Sequence, residues 1–122
     1  MIEKLDIESI HIEVDESARR YVNKKIGRLD RYMPKHVKES AHAEVILKAN
    51  KDKKNKYTCE VTLHLPKETI NAKESTVSIF AAIDIIEEKL KNRIQKYKEI
   101  HGNPRFRHHL AKKTLKKLPK IV

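Results

Sequence analysis

The fold is decided by residues 41–65, AHAEVILKANKDKKNKYTCEVTLHL, which have the pattern of two strands joined by a polar turn. Apolar side chains recur at every second position on both sides of the turn, at Ala43, Val45, Leu47 and Ala49 and again at Tyr57, Cys59, Val61, Leu63 and Leu65. An alternation with this period predicts half-buried strands, each with one face on a core. Because residues 50–55 between them are rich in lysine, asparagine and aspartate, we expect an antiparallel pair.

Downstream of this pair the sequence predicts a fourth strand and a long helix. The turn at residues 66–67 leads into a short strand that contains Ile70 and Ala72. From about Val77 onward, apolar residues recur at helical spacing along a single stripe, at Ile79, Ile83, Ile86, Leu90, Ile94 and Tyr97. Gly102 is expected to end this helix, since glycine is favoured just beyond the last turn.

Upstream of the pair the sequence predicts one strand and one helix. Residues 5–12 carry the apolar side chains of a strand. Asp15 stands at the expected N-cap, because its carboxylate can accept hydrogen bonds from the free N–H groups of a first turn. A single continuous helix is predicted from there to Pro34, since apolar residues recur at spacings of three and four, at Ala18, Val22, Ile26, Leu29 and Met33.

The resulting order, β-α-β-β-β-α, predicts an α+β fold. We expect a two-layer sandwich in which a four-stranded sheet carries two helices on one face. The first two strands flank a helix and are therefore expected to run parallel through a right-handed crossover. The last three strands should form an antiparallel meander. The other face of the sheet is expected to be solvated, because it carries Thr58, Glu60, Thr62 and His64.

The charge of the chain divides it into two units. The 122 residues, a length typical of one domain, include 28 Lys and Arg against 17 Asp and Glu, for a net charge of +11. Residues 100–122 contain seven basic residues and no acidic one, which leaves residues 1–99 with a net charge of only +4. We therefore predict an α+β domain over residues 1–101 and a basic tail over residues 102–122.

Two interpretations of the tail remain open. A segment of one charge sign is typical of a nucleic-acid arm, and this one could fold into a helix on RNA, since apolar or small residues recur at spacing four, at Phe106, Leu110, Thr114 and Leu118. The alternative is a solvated, disordered end.

Composition argues against several classes of protein. A single cysteine, Cys59, excludes a disulfide within the monomer and fits a reducing compartment. No apolar run approaches the roughly 20 residues that cross a bilayer, and two glycines leave no Gly-rich phosphate loop. The seven histidines lack the spacing of a zinc site. We expect a cytoplasmic protein with no catalytic activity, no metal, no cofactor and no membrane partner.

Both predicted helices carry basic outer faces. The first presents Arg20, Lys24, Lys25, Arg28, Arg31 and Lys35, and the second presents Lys89, Lys91, Arg93, Lys96 and Lys98. Because both helices pack on the same face of the sheet, we expect these outer faces to be neighbours. Clustering of one charge sign on one surface is what binding to a phosphate backbone requires. Since there is no tryptophan and no visible ladder of aromatic residues, structured RNA is favoured over single strands.

Two segments, YVNKKIGRLDRY (21–32) and INAKESTVSIFAAIDIIEEKLKNRIQKYKE (70–99), resemble a known family. They are similar to the ribosome hibernation promoting factor family in its short form, which includes the ribosome-associated inhibitor A proteins. The resemblance covers residues 5 to about 99 in the same order of elements. It implies a fold like the double-stranded-RNA-binding domain with an added first strand.

The resemblance also implies a function and a binding surface. The implied partner is the small ribosomal subunit with its 16S rRNA, in the channel used by mRNA and by A- and P-site tRNA, where occupancy blocks translation during stress or stationary phase. Carried over by position, the RNA-binding residues are Lys25, Arg28, Arg31, Lys89 and Lys96. The family's Lys-Leu-Glu-Arg-Gln becomes Lys-Leu-Lys-Asn-Arg at residues 89–93, which adds Arg93 as a candidate beside Asn92. No DNA partner is expected, and the protein is expected to be a monomer off the ribosome.

Two further hypotheses stay open. One is a general structured-RNA-binding module that acts on free RNA, for example in ribosome assembly. The other is an adaptor whose basic helices dock an acidic protein. The adaptor is disfavoured because we expect no exposed apolar anchors on those helices, and protein interfaces normally need them.

Overall fold

The structure is a computed structural model that describes residues 1–101. Its strands are β1 (Lys4–Ile10), β2 (His42–Ala49), β3 (Tyr57–Leu65) and β4 (Glu68–Thr76). Its helices are α1 (Glu16–Lys25), a 3-10 helix (Gly27–Tyr32), α2 (Lys35–Ser40) and α3 (Ile79–His101). The predicted basic tail, residues 102–122, lies outside the described residues, and so do both interpretations of it.

The four strands form one sheet in the order β1-β2-β3-β4. β1 and β2 are parallel, whereas β2, β3 and β4 are antiparallel, so the predicted topology is confirmed. The register pairs Val45 with Val61 and Val61 with Ala72, which aligns the inward-facing side chains across three strands. β4 has nine residues and is longer than the short strand predicted from Ile70 and Ala72 alone.

The core lies between one face of the sheet and the helices, which confirms the α+β sandwich. Its largest fully buried side chains come from every layer, namely Val22, Ile26, Leu29, Val37, Val45, Leu47, Val61, Leu63, Ile83, Ile86, Leu90 and Ile94. Burying one such aliphatic side chain contributes about 1.5–3 kcal/mol. The other face of the sheet is less solvated than predicted, since Thr58 is buried and its hydroxyl bonds to Asn50 and Ser75.

The prediction of one continuous helix up to Pro34 is wrong. α1 starts as predicted, with the Asp15 carboxylate accepting from the Ala18 N–H at 2.8 Å, but it ends at Lys25. At Gly27 the N-terminus of the chain approaches closely, because the Ile2 N–H donates to the Gly27 carbonyl at 2.8 Å. The Met1 ammonium also lies 2.6 Å from the Asp30 carboxylate. These tertiary contacts favour a 3-10 turn, in which Leu29 and Met33 still reach the core.

A short helix after Pro34 was not predicted. α2 turns Val37 into the core, where it is fully buried, before the chain enters β2.

The last turns of α3 are fastened to the turn between β3 and β4. The Tyr97 hydroxyl donates to the Pro66 carbonyl, and His101 Nε2 lies 3.3 Å from the Glu68 carboxylate. The φ of Lys67 is 72°, the left-handed value that the tight turn requires. These contacts fix where α3 lies along the sheet, and they therefore also fix where the lysines and arginines of α3 lie relative to β4.

Candidate RNA-binding surface

The cations around α3 fall into two groups on opposite sides of that helix. We call the first the helix groove, defined by Lys25, Arg31 and Lys91, which lie where α1 and the 3-10 helix meet α3. We call the second the strand cleft, defined by Lys73, Lys89, Asn92 and Arg93, which line a cleft of about 390 Å³ between α3 and β4.

The helix groove is organised around the ring of Tyr32. The guanidinium carbon of Arg31 lies 4.9 Å from the ring centroid, and Lys91 Nζ lies 5.4 Å from the same centroid. One aromatic ring therefore brings together a cation of the 3-10 helix and a cation of α3. Such cation–π contacts contribute about 0.5–1 kcal/mol each at exposed sites. Arg28 is exposed on the same 3-10 helix.

A second set of contacts in the helix groove joins α1 to α3. The Tyr21 hydroxyl donates to Asp84 Oδ1 at 2.5 Å, and the Tyr21 ring meets Phe80 edge-on at 5.1 Å. This hydrogen bond, with smaller contributions from burial and nearby negative charge, raises the pKa of Tyr21 to about 12. Lys25 Nζ lies 3.7 Å from Asp84 and 3.8 Å from Glu87, so Lys25 is held between two carboxylates of α3.

In the strand cleft the cations are held by β4. Lys89 Nζ donates to Glu74 Oε2 at 2.6 Å, and this hydrogen bond lowers the pKa of the Glu74 carboxyl. Arg93 Nη1 donates to the main-chain carbonyl of Asn71 at 2.8 Å. Because β4 is an edge strand, a carbonyl on its outer side has no neighbouring strand to bond. Lys73 and Asn92 complete the lining of the cleft.

The six predicted RNA-binding residues are therefore not on one continuous face. Lys25, Arg28 and Arg31 lie on the side of the helix groove, whereas Lys89 and Arg93 lie in the strand cleft. Lys96 is exposed on α3, one turn beyond Arg93. The outer faces of the two predicted helices were expected to be neighbours. This holds for Lys91, which lies beside the 3-10 helix, but is wrong for Lys89 and Arg93, which face β4. The reason is that residues 89 and 91 are about 200° apart around α3, on either side of its buried stripe.

Three contributors to these sites were missed in the sequence, and the pairing of a fourth, Asp84, was not foreseen. Tyr32 and Lys73 lie outside the apolar stripes and carried no signal of their own. Glu74 and Asp84 are single acids whose partners are 15 and 63 residues away in the chain, so no local pattern could reveal them. The opposite placement of Lys89 and Lys91, by contrast, was readable from helical periodicity once the buried stripe was known.

The expectation of no exposed apolar anchors is wrong at the start of α3. On α3, Phe80 is 40% exposed and Ile85 is also exposed, and Val77, which precedes the helix, is 60% exposed. Phe80 is nevertheless engaged with Tyr21 at the junction of α1 and α3.

The residues considered for other chemistry are arranged differently. Cys59 is fully buried, and burial raises the pKa of its thiol to about 12, so the thiol stays protonated at neutral pH. Within residues 1–101, no group of three or more His, Cys, Asp or Glu side chains is placed to hold a metal ion. No helix in that same part of the chain is long and apolar enough to span a bilayer.

The face of the sheet opposite the helices carries mixed charge. His42 Nε2 lies 3.0 Å from the Asp6 carboxylate, and His64 Nε2 lies 3.5 Å from the Glu44 carboxylate. Two acids on this face are thus paired with histidines.

Residues 5–101 match the family model described as "Sigma 54 modulation protein / S30EA ribosomal protein". The chain belongs to this family. Among curated relatives it is 37% identical over 95 residues to a protein of Lactococcus lactis subsp. cremoris (strain MG1363), with 78% of this chain and 49% of the relative covered. It is 32% identical over 95 residues to one of Staphylococcus aureus (strain COL), with 78% and 48% covered. Both relatives are named "Ribosome hibernation promotion factor".

These comparisons confirm the family resemblance stated from the sequence, and the chain spans about half the length of the curated relatives it matches. Among solved structures, the fold is similar to the Thermus thermophilus Protein Y N-terminal domain, with a TM-score of 0.63, 28% identity and coverage of 79% of this chain and 97% of that one. A ribosomal subunit interface protein from Coxiella burnetii shares the fold, with a TM-score of 0.60, 24% identity and coverage of 76% and 97%.

Proposed function

We propose that this chain is a non-catalytic hibernation factor that binds the small ribosomal subunit and inhibits translation by steric occupancy. In this proposal it contacts 16S rRNA in the channel used by mRNA and by A- and P-site tRNA, under stress or in stationary phase. It acts in the cytoplasm and is a monomer off the ribosome. Family membership and the names of the relatives support a ribosomal role.

The observation that carries the proposal is the placing of cations on both sides of α3. The helix groove and the strand cleft together present two separate rows of Lys and Arg side chains to the RNA, on the helix side of the sheet. Each phosphate that a Lys or Arg neutralises releases condensed counterions, which supplies much of the affinity for nucleic acid. Two rows separated by a helix suit a folded RNA with phosphates at defined positions, since A-form RNA is recognised mainly by shape and backbone.

The aromatic residues support backbone contact over base stacking. Tyr21 is bonded to Asp84, and Tyr32 lies against Arg31 and Lys91. Rings that are engaged in this way are not displayed as a platform for unpaired bases, which require accessible aromatic faces.

The six residues have distinct roles in the proposal. Arg28 and Lys96 are exposed and have no ion pair within residues 1–101, so they are the cations most available to phosphate. Arg31 is pre-oriented by Tyr32, and Arg93 by the Asn71 carbonyl. Lys25 and Lys89 are already paired with carboxylates in the free protein.

The test is charge reversal at Lys89 and Lys96 together. Co-sedimentation of the double variant Lys89→Glu, Lys96→Glu with separated ribosomal subunits, at low and moderate salt, should show loss of retention on the small subunit. The matched control is Lys4→Glu, Lys48→Glu, which makes the same change of charge with exposed lysines of β1 and β2. The control should remain bound.

Circular dichroism establishes that both double variants are folded. Retention of the folded Lys89→Glu, Lys96→Glu variant on the small subunit would contradict the assigned site. Equal affinity of the unmodified chain for any duplex RNA and for the small subunit would instead favour a general structured-RNA-binding module.

A further inference from the structure

Two of the six proposed RNA-binding cations are neutralised in the free protein. Lys89 donates to Glu74 at 2.6 Å, and Lys25 lies 3.8 Å from Glu87 in addition to Asp84. One such pair occurs in the strand cleft and one in the helix groove. Any phosphate that binds Lys89 or Lys25 must therefore share the ammonium with a carboxylate or displace it.

We propose that Glu74 and Glu87 are specificity-determining residues, which compete with RNA phosphates for Lys89 and Lys25 and so discriminate against generic duplex RNA. The inference rests on the proposed binding of RNA by these cations. It extends that proposal by assigning a role to acids of the same surface.

The two carboxylates are placed to compete. Glu74 is 29% exposed and Glu87 is 23% exposed, so both are more sheltered from solvent screening than the typical surface acid. Glu74 stands on β4, whose position is fixed by nine register pairs with β3, and it cannot move far from the cleft. The hydrogen bond from Lys89 also lowers the pKa of the Glu74 carboxyl, so the competitor stays charged at neutral pH.

Competition of this kind selects for RNAs that make many contacts at once. A carboxylate close to an incoming phosphate repels it, and removal of the lysine leaves the carboxylate without its partner. In this proposal, an RNA that engages the helix groove and the strand cleft together also contacts Arg28 and Lys96, which have no ion pair within residues 1–101, and these contacts offset the loss of both ion pairs. A generic duplex that contacts only one of the two clusters breaks the protein's ion pair there and gains only the phosphate contact to the released lysine. Specificity then comes from a penalty on the wrong partner as well as from attraction to the right one.

Asp84 is not assigned the same role. It already accepts a hydrogen bond from Tyr21 and so holds α1 against α3. Removal of the Asp84 carboxylate would disturb the helix groove, whereas the charge of Glu87 can be removed while the hydrogen bond between Tyr21 and Asp84 stays intact.

The experiment compares Glu74→Gln and Glu87→Gln with Glu88→Gln. Each variant removes one negative charge, and Glu88 is an exposed acid of α3 with no ion pair within residues 1–101. The Kd of each protein for a generic RNA duplex is measured by fluorescence anisotropy over a series of salt concentrations. We expect Glu74→Gln and Glu87→Gln to tighten binding by about three- to tenfold at low salt, against less than about twofold for Glu88→Gln. The slope of log K against log salt should steepen by up to about 0.9 for each released lysine.

A second pair of variants tests whether Glu74 acts through Lys89. In a Lys89→Gln background, the effect of Glu74→Gln should shrink to that of Glu88→Gln, since double-mutant cycles isolate the interaction between two contacting residues. Persistence of the full effect in that background would overturn the inference. So would single variants that behave like Glu88→Gln or that weaken duplex binding, because the acids would then merely position the lysines.

The failure of this inference is distinguishable from failure of the proposed function. Small-subunit retention of the unmodified chain tests the function, and its loss leaves the duplex comparison readable. Thermal melts of each variant confirm folding before any affinity is compared.

Discussion

The helix groove and the strand cleft contain similar cations but hold them by different means. In the helix groove, Arg31 and Lys91 lie against one aromatic ring, and Lys25 is shared by two carboxylates of α3. In the strand cleft, Lys89 and Arg93 bond to a side chain and a carbonyl of β4. The helix groove therefore depends on the docking of α1 and the 3-10 helix onto α3, whereas the strand cleft depends only on α3 and the strand beneath it.

Because the two clusters have different supports, different substitutions can disturb one without the other. A change in the shared support, α3, should affect both. A change at the junction of α1 and α3 should affect the helix groove alone, and a change on β4 should affect the strand cleft alone.

The largest effect is expected from Leu90→Ala, which removes the shared support. Leu90 is fully buried on α3 between the two clusters, and truncation of such a leucine costs about 2–5 kcal/mol because a cavity remains. The free energy of unfolding is measured by urea denaturation. The control is Ile85→Ala on the same helix, where the side chain is exposed and a much smaller loss is expected. Equal losses for the two variants would contradict the placement of α3.

A smaller effect, confined to the helix groove, is expected from Tyr21→Phe. Loss of the hydrogen bond to Asp84 should lower the free energy of unfolding by about 0.5–1 kcal/mol at pH 7, since the bond is partly exposed. The variant should weaken RNA binding through Lys25 and leave the bonds of Lys89 and Arg93 intact.

The same variant has a signature in alkaline solution. The pKa of Tyr21 is raised to about 12 in the fold, against about 10 for an unperturbed tyrosine. A raised pKa gives a stabilisation that is complete below pH 10 and is lost as the pH rises from about 10 to about 12. Urea denaturation at pH 9 and pH 11 should thus show the advantage of the unmodified chain over Tyr21→Phe shrinking. The control is Tyr57→Phe, because the Tyr57 hydroxyl has no hydrogen bond within residues 1–101.

The smallest effect on stability is expected from Glu74→Gln in the strand cleft. The Lys89–Glu74 pair is near the surface and is worth less than about 1 kcal/mol. Because the pKa of Glu74 is lowered in the fold, its contribution is present above the pKa of the unfolded carboxyl and is lost as the pH falls through the folded value. Urea denaturation at pH 7 and pH 3 should therefore show a smaller difference between the unmodified chain and Glu74→Gln in acid. A difference as large at pH 3 as at pH 7 would mean that Glu74 stabilises the fold by other contacts.

Much of the fold was readable from local patterns. The alternation over residues 57–65 gave a strand with the predicted bounds, and the stripe from Ile79 to Tyr97 gave α3, because both patterns reflect burial against a single face. The β-α-β order was enough to predict the parallel pair of β1 and β2, because parallel neighbours need a crossover connection and a helix usually supplies it.

The break after α1 could not be predicted for a physical reason. Apolar residues at spacings of three and four fit both an α-helix and a 3-10 turn. At Gly27 the 3-10 turn is favoured by a hydrogen bond from the Ile2 N–H, which comes from the segment before β1 and is not part of the local pattern. The candidate site shows the same limit. Residue types and helix faces followed from sequence, but pairings such as Tyr21 with Asp84 exist only after tertiary packing.

The bond from Arg93 to the Asn71 carbonyl has a consequence for self-association. Free main-chain groups along the edge of a sheet are a template for another chain to add as a further strand, and proteins suppress this by placing charged side chains there. Arg93 occupies one such acceptor on β4, and Lys73 adds a second positive charge beside it. Two copies of the chain that pair through their β4 edges must bring these positive charges close together, and the charges repel each other. The same positive charge that we propose to bind RNA therefore also disfavours strand addition between copies at this edge.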